Sequence, residues 1–426
     1  ISDLEPLADL YGRQYPDYGT IRSVPSRLMF FPINIVLGDL NLWLASATGN
    51  TETYKEAALR YYKYISERNG TNSTYSVGLN FRTWTPGYTD WEHITSWGSL
   101  NMFSNETTAA QAENITLIAG DSIRAEGNFS ELRNLFTSSG RDNDGLVSIV
   151  PSDRMFDISE AQDYCLPANN GQTYTYAPKG LNNYQSGDLR LSRVYDEGYE
   201  YDPYTEERIR TKYISKHASL NVVVYRRIMV YLHMAEALNG AGYPRMAWLI
   251  LATGLSNRQI QQEAMPYYMT DDRADSLYLA QFDFNDRYYH VCTFSEYNGT
   301  GNEGNQLGIH SRGSGWTPLN DRYALINDTI EPDPQKRQQL VAEQQLYVDS
   351  LLLNENALEM AFEGTRYYDL MRFAMRQPNP AAFMAKHIFA RRGEENSAAV
   401  QGEVQTDFTD RSTWFLKWDG KIGMIE

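Results

Sequence analysis

The sequence predicts a mainly α protein in which pairs of antiparallel helices carry long, loop-rich insertions. Two observations lead there. Apolar residues recur at the three-and-four spacing of a helix around residues 33–44, 54–68, 228–250 and 354–372. The long stretches between them are rich in Gly, Asn, Ser and Tyr and hold no sustained period. With 42% hydrophobic and 22% charged residues the chain has the composition of a globular protein, not a disordered one.

Residues 1–69 hold the first pair. Pro32 suits a first helical position, and Ile33, Val36, Leu37, Leu40 and Leu44 follow at helical spacing. After the break GNTET a second helix runs from about Tyr54 to Arg68 with Ala57, Ala58, Tyr61 and Tyr64 inward. Two short helices with small residues at their crossing form the unit of a tetratricopeptide-like repeat. The insertion 70–211 contains a short strand in ENITLIAG and short helices in SELRNLF and SDRMFDISEAQDYCL. The second pair lies in 212–270: Ile228, Tyr231, Leu232, Ala235 and Leu238 line one face, Gly242 turns the chain, and Ala247, Leu249 and Ile250 begin the next helix. Glu236 within it reads as a repeat residue bonding the neighbouring turn. A second insertion, 271–335, carries a strand in FDFNDRYYHVCTF, the loop GIHSRGSGW and a polar lead DPQKRQ.

Residues 336–376 form C-terminal helices. Asn354–Arg372 reads as a packed helix with Leu358, Ala361, Phe362 and Leu370 inward. Glu363–Arg366 and Asp369–Arg372 pair at i,i+3, and Glu359–Arg366 across two turns. Gly364 costs about 1 kcal/mol inside a helix and marks a break or a close approach. Residues 377–426 add a short helix near Ala382–Ala390 and the tail STWFLKWDG.

The order of residues in that helix is more specific than its pattern. ALEMAFEGTRYYDLMRF resembles the E-L-x-F-E-G-x-R-x-x-D-L-x-R signature of the SusD/RagB family, nutrient-binding lipoproteins on the surface of Bacteroidota. Glu359, Phe362, Glu363, Gly364, Arg366, Asp369, Leu370 and Arg372 match it, and Met360 departs from it. YLHMAEALNGAGYPRMAW is similar to the family's repeat phrase Y-L-x-x-A-E-A-x-N-x-x-G, with LGDLNLWLASATGNTETYKEAA as a diverged copy. The resemblance implies a SusD-like fold whose N-terminal part is missing from this chain. It also implies a lipoprotein on the extracellular face of the outer membrane, anchored through an N-terminal lipid absent from this chain. Such a protein captures oligosaccharides and closes with them as a lid on a SusC-like TonB-dependent transporter. The signature helix is architectural in the family, so it names no ligand site.

Ligand-binding candidates come from aromatic density, since Tyr 31, Phe 16 and Trp 8 make 13% of the chain. Trp84, Tyr88, Trp91 and Trp97 cluster around Pro86 and Gly87. Rings presented from a loop make a platform for sugar faces, or a satellite cluster pinning the loop to the helices. Tyr174 and Tyr176 mark a second loop. His310, Arg312 and Trp316 belong to the glycine-rich GIHSRGSGW, read as a tight turn or a ligand-facing loop; it lacks the GK[ST] of a phosphate loop. GRDNDG fails the calcium-loop pattern.

A formal charge of −16 argues against a nucleic-acid surface, which needs clustered bases. Cys165 and Cys292 make no zinc or disulfide framework. The sequence carries no H-E-x-x-H, no G-x-S-x-G and no histidine pair at metal spacing, so neither an enzyme, a cofactor nor a metal is expected. No uninterrupted run of 18 apolar residues is present, and ISDLEPLADLYGRQ carries no lipobox. The alternatives are the same role for oligopeptides and an α-helical glycoside hydrolase, which needs two facing carboxyls.

Overall fold

The structure, a computed structural model, describes residues 1–11, 16–21, 24–68, 113–120, 136, 149–168, 173–176, 187–188, 190–201, 204–214, 216, 221–268, 273–284, 308–314 and 324–415. Of these, 63% are helical, and the strands occur in two-stranded pairs, so the fold is mainly α.

A short helix α1 (Glu5–Tyr11) leads to α2 (Ile33–Thr48) and α3 (Thr51–Arg68). Pro32 enters α2, and Gly49 closes it with its N–H on the carbonyl of Ala45. Ala57, Ala58, Tyr61 and Tyr64 are buried, as expected. Opposite them stands Gly38, where a Cβ would lie 2.6 Å from the Tyr61 ring, so the helices touch where one has no side chain.

The expected phase of α2 needs correction. Leu37 is buried, but Leu40 and Leu44 are exposed, while Asn34, Ile35, Asn41, Leu42, Ala45 and Ser46 face inward. Two of these polar groups are satisfied within the helix, Asn41 Nδ2 donating to Leu37 O and Ser46 Oγ to Leu42 O. The stretch Ser26–Thr48 is long and apolar enough by composition to cross a membrane, which the sequence reading did not register. Half of it is buried in the fold, in keeping with a core helix.

The second pair is α5 (Arg227–Gly240) and α6 (Pro244–Ala252), turning at Gly242. Every residue of α5 from Ile228 to Asn239 is buried, so the predicted one-faced stripe is an all-round core helix. It packs against α3, α6 and the long helix α9 (Pro334–Glu359). The next helical run, 257–268, was not expected and contains a π-helical turn, Ile260–Ala264. The side chain of Arg245 reaches the carbonyl of Glu263 within that turn.

Between the pairs, β3 (Asn114–Ile118), in the expected ENITLIAG, joins β8 (Val222–Arg226) antiparallel. The helix α4 (Asp153–Glu160) lies in the expected SDRMFDISEAQDYCL. Two hairpins stand beside it: β4 (Cys165–Ala168) with β5 (Thr173–Tyr176), and β6 (Tyr195–Tyr201) with β7 (Arg208–Ile214). A fourth pair, β1 (Thr20–Ile21) and β2 (Val24–Pro25), precedes α2. The expected helix SELRNLF lies outside the described residues apart from Phe136. So does the expected strand in FDFNDRYYHVCTF apart from residues 282–284, which are not strand.

Two short helices, α7 (Arg273–Leu279) and α8 (Ser311–Ser314), come before α9. Asp333 caps α9 by accepting from the N–H groups of Gln335 and Lys336, so DPQKRQ is its first turn and not a lead. The single helix expected over 354–372 is two. α9 ends at Glu359, Phe362 and Gly364 take φ of 63° and 81°, and α10 (Arg366–Met375) starts afresh. Gly364 therefore marks a break; a left-handed Phe362 beside it stores backbone strain. α11 (Pro380–Phe389) and α12 (Ser397–Glu403) follow, and a 3-10 turn, Arg411–Trp414, buries Trp414 near the end of the described residues.

Candidate functional site

Glu355 and Glu359 lie one turn apart at the end of α9 and face the same way. Glu359 is the centre of a buried charge cluster. Its carboxylate accepts from Arg190 Nη1 at 3.1 Å, Arg312 Nε at 3.1 Å and Nη2 at 3.0 Å, and Arg226 Nη1 at 3.4 Å. Glu113 bridges Arg226 and Arg312 at 2.8 and 3.1 Å, Asp188 takes Arg190 at 2.8 Å, and Glu355 takes Arg190 at 2.5 Å. Glu363, past the helix break, pairs with Arg226 at 2.5 Å and with Lys216.

Backbone bonds bring these groups together. The N–H groups of Gly308, Ile309 and His310 donate to the carbonyls of Ala252, Ile250 and Leu251, at 3.0, 3.1 and 3.0 Å. The end of α6 is thereby capped by a remote loop, which sets α8 and Arg312 against α9. Arg226 ends β8, and its neighbour Arg227 donates its N–H to the carbonyl of Glu113 at 2.9 Å.

Burial alone would raise these carboxyls. For Glu359 the charges of Arg312, Arg190 and Arg226 outweigh it and hold the group well below the usual range. For Glu355 the opposing pull of Arg190 and His310 wins and brings it down to about 2. Lys216 behaves differently: burial pulls it down to about 8, since Glu363 is shared with Arg226.

A second cluster lies under α10. Arg372 holds Glu236 in two-pronged fashion at 3.0 and 2.9 Å, and Arg376 joins at 2.8 Å. Arg372 also meets Asp369 at 2.6 Å, the one ion pair of the predicted helix that forms. Against its burial, Arg372 and Arg376 bring Glu236 down to about 2. Its partners thus lie on α10 and at its C-cap, Arg376, and not, as expected, on the neighbouring turn. Arg366 bonds the carbonyl of Leu353, and Glu359 and Glu363 find their partners elsewhere.

A third grouping is less ordinary. Asp39 accepts from Tyr61 at 2.6 Å and Tyr225 at 2.7 Å and lies 3.0 Å from His233 Nδ1. His233 Nε2 is buried without a protein partner. A carboxylate that orients an imidazole is acid–base machinery in principle, but this ring lies inside the helix core. Among the described residues, no group of three or more His, Cys, Asp or Glu is placed to hold a metal ion.

Of the ligand-binding candidates, Trp84, Tyr88, Trp91, Trp97 and Trp316 lie outside the described residues. Tyr174 is in β5 opposite Pro167, and Tyr176 ends that strand half exposed. His310 and Arg312 require correction as ligand-facing groups. They are 4% and 3% exposed and engaged by Glu355 and Glu359, because the loop that carries them is drawn inward to cap α6. Sequence reasoning missed Tyr199 and Tyr204, 72% and 83% exposed on the β6–β7 hairpin; the alternation in that stretch was the available signal. Comparison of the chain with protein-family models, curated proteins and solved structures gives no match.

Proposed function

We propose that this chain is a non-catalytic binding protein of the SusD/RagB kind. In this reading it captures oligosaccharides at the cell surface and delivers them, as a lid, to a SusC-like TonB-dependent transporter in the outer membrane. The observation that carries the reading is what the signature residues do. Glu359, Glu363 and Arg372 each hold charges from distant segments in the interior, and Asp369 pairs with Arg372 within α10. A sequence signature that serves architecture behaves in this way. The helix pairs α2–α3, with Gly38 at its crossing, and α5–α6 support a tetratricopeptide-like scaffold. Among the described residues the buried carboxylates are taken up by guanidinium groups, which favours binding over hydrolysis.

The test is calorimetric titration of the protein against plant and microbial glycans and an oligopeptide pool, with turnover assayed alongside. The expected result is saturable glycan binding without cleavage, abolished in a Trp84→Ala/Trp91→Ala variant. Binding of peptides alone would replace sugar by peptide in this role, and released sugar products would make the protein a glycoside hydrolase.

A further inference from the structure

Arg366, at the start of α10, differs from the other arginines of the interior. Arg190, Arg226, Arg312, Arg372 and Arg376 each meet a carboxylate at 2.8–3.0 Å. Among the described residues the guanidinium of Arg366 meets none. Its one hydrogen bond runs from Nη1 to the carbonyl of Leu353, at 2.6 Å. Asp369, three residues on, is engaged by Arg372 instead, at 2.6 Å. The remaining donors of Arg366, Nε and Nη2, bond no group among the described residues and are not sealed from solvent. Taking an arginine out of water without a counter-ion is costly. Burial pulls Arg366 down to about 10 against the charge of Asp369, so it is still a cation at neutral pH.

Groups of the same character surround it. α10 packs against α9 and α11, and α4 packs against α9 and the turn Ala390–Arg392 that follows α11. In this corner burial, and then the charges of Arg366, Lys386 and Arg154, bring His387 down to about 4, so three cations stand about one ring. Arg154, on α4, forms the outer rim with its side chain 27% exposed. Its Nη1 makes only long pairs with Glu394 and Asp157, at 3.4 and 3.8 Å, and pairs with such exposed acids contribute little. Its Nε is enclosed without a protein partner, and so is the hydroxyl of Thr365, which makes no cap to α10. Enclosed donors of this kind call for an acceptor from outside the chain. The first turn of α10 adds a partial charge of the same sign. All this lies in a chain of net charge −16.

We propose that this corner, between Arg366, Thr365 and Arg154, binds a tetrahedral oxyanion of the phosphate or sulfate class, a role separate from oligosaccharide capture. Guanidinium groups bond such oxygens in pairs, a hydroxyl supplies a further donor, and two guanidiniums balance a dianion. A planar carboxylate has two oxygens to offer, and the donors here come from two helices and a loop residue.

The experiment is calorimetric titration of the full chain with inorganic phosphate, sulfate, acetate and a hexose phosphate, with chloride holding ionic strength constant. NMR of histidine-labelled protein follows the His387 ring at neutral pH. Phosphate and sulfate are expected to bind saturably, to shift the His387 resonances along the same curve, and to bind roughly tenfold or more weakly in Arg366→Gln. Arg154→Gln, at the rim, is expected to weaken binding with the melting temperature unchanged, which keeps the test decisive if Arg366→Gln does not fold. Equal affinity for phosphate and hexose phosphate supports the site and points to the free ion; tighter hexose phosphate supports it and points to a phosphorylated sugar. Preference for acetate, heat without saturation, an unmoved His387 or binding unchanged in Arg154→Gln overturns it.

Discussion

Glu359 is 0% exposed and is the shared counter-charge of three arginines. Removing one member of a buried ion cluster leaves the others uncompensated, which costs more than the cluster itself contributes. Glu359→Gln is therefore expected to lower unfolding stability by about 3–5 kcal/mol, read from urea denaturation. Acid should act on the same chemistry. Glu236 and Glu355 are held near 2 in the folded protein, below the 4.5 of an ordinary glutamate. Their contribution is complete above that ordinary value and is lost as pH falls from it towards 2. Melting temperatures followed downwards from neutral pH should drop most steeply in that interval, and Glu236→Gln should flatten the drop from a lower starting point. A profile unaffected by that substitution would show that Glu236 contributes nothing to acid sensitivity.

At the scale of elements, helix ends and crossings carry separable energies. Asp333→Ala removes the cap of α9 and is expected to cost about 1 kcal/mol. Gly38→Val forces atoms into the Tyr61 ring and should cost roughly 1–3 kcal/mol; chemical denaturation of both variants distinguishes an end effect from overpacking. The helices were legible where apolar spacing and a boundary residue agree, as with Pro32 before α2, Ala57 and Ala58 in α3, and the turn at Gly242. They were misread where burial is not apolar. The inward face of α2 includes Asn34, Asn41 and Ser46; bonds within the helix take up Asn41 and Ser46, and Asn34 donates to Glu67 on α3. Asn354–Arg372 looked like one helix with its own ion pairs because spacing along a sequence reveals only local partners. Those of Glu359 lie between 47 and 169 residues away. The candidate site was the least legible part. His310 and Arg312 were recognised as unusual, but nothing local showed that their loop would be spent on the carbonyls of α6.

At the scale of the molecule, the two insertions are tied to the scaffold by charge as well as by apolar packing. Arg190, from the end of the first, and Arg312, from the second, converge on α9 with Arg226 between them. A chain ending at residue 353 keeps all three guanidinium groups and loses Glu355, Glu359 and Glu363. It is expected to show no cooperative melt by calorimetry, whereas an autonomous N-terminal domain would still give one. If oligosaccharide capture is the function, ligand should raise the melting temperature of the full chain in proportion to its occupancy.

The remote cap of α6 also has a temporal side. The carbonyls of Ile250, Leu251 and Ala252 leave the ribosome well before residues 308–310 arrive to bond them. Arg226 waits longer still, because Glu363, the carboxylate that faces it most closely, follows 137 residues later, on the order of ten seconds of synthesis. During that interval the central helix pair has a frayed end and an arginine without its principal counter-ion. The nascent chain is therefore committed to a late closure, and its exposure to aggregation and proteolysis is governed by how quickly residues 308–363 are made.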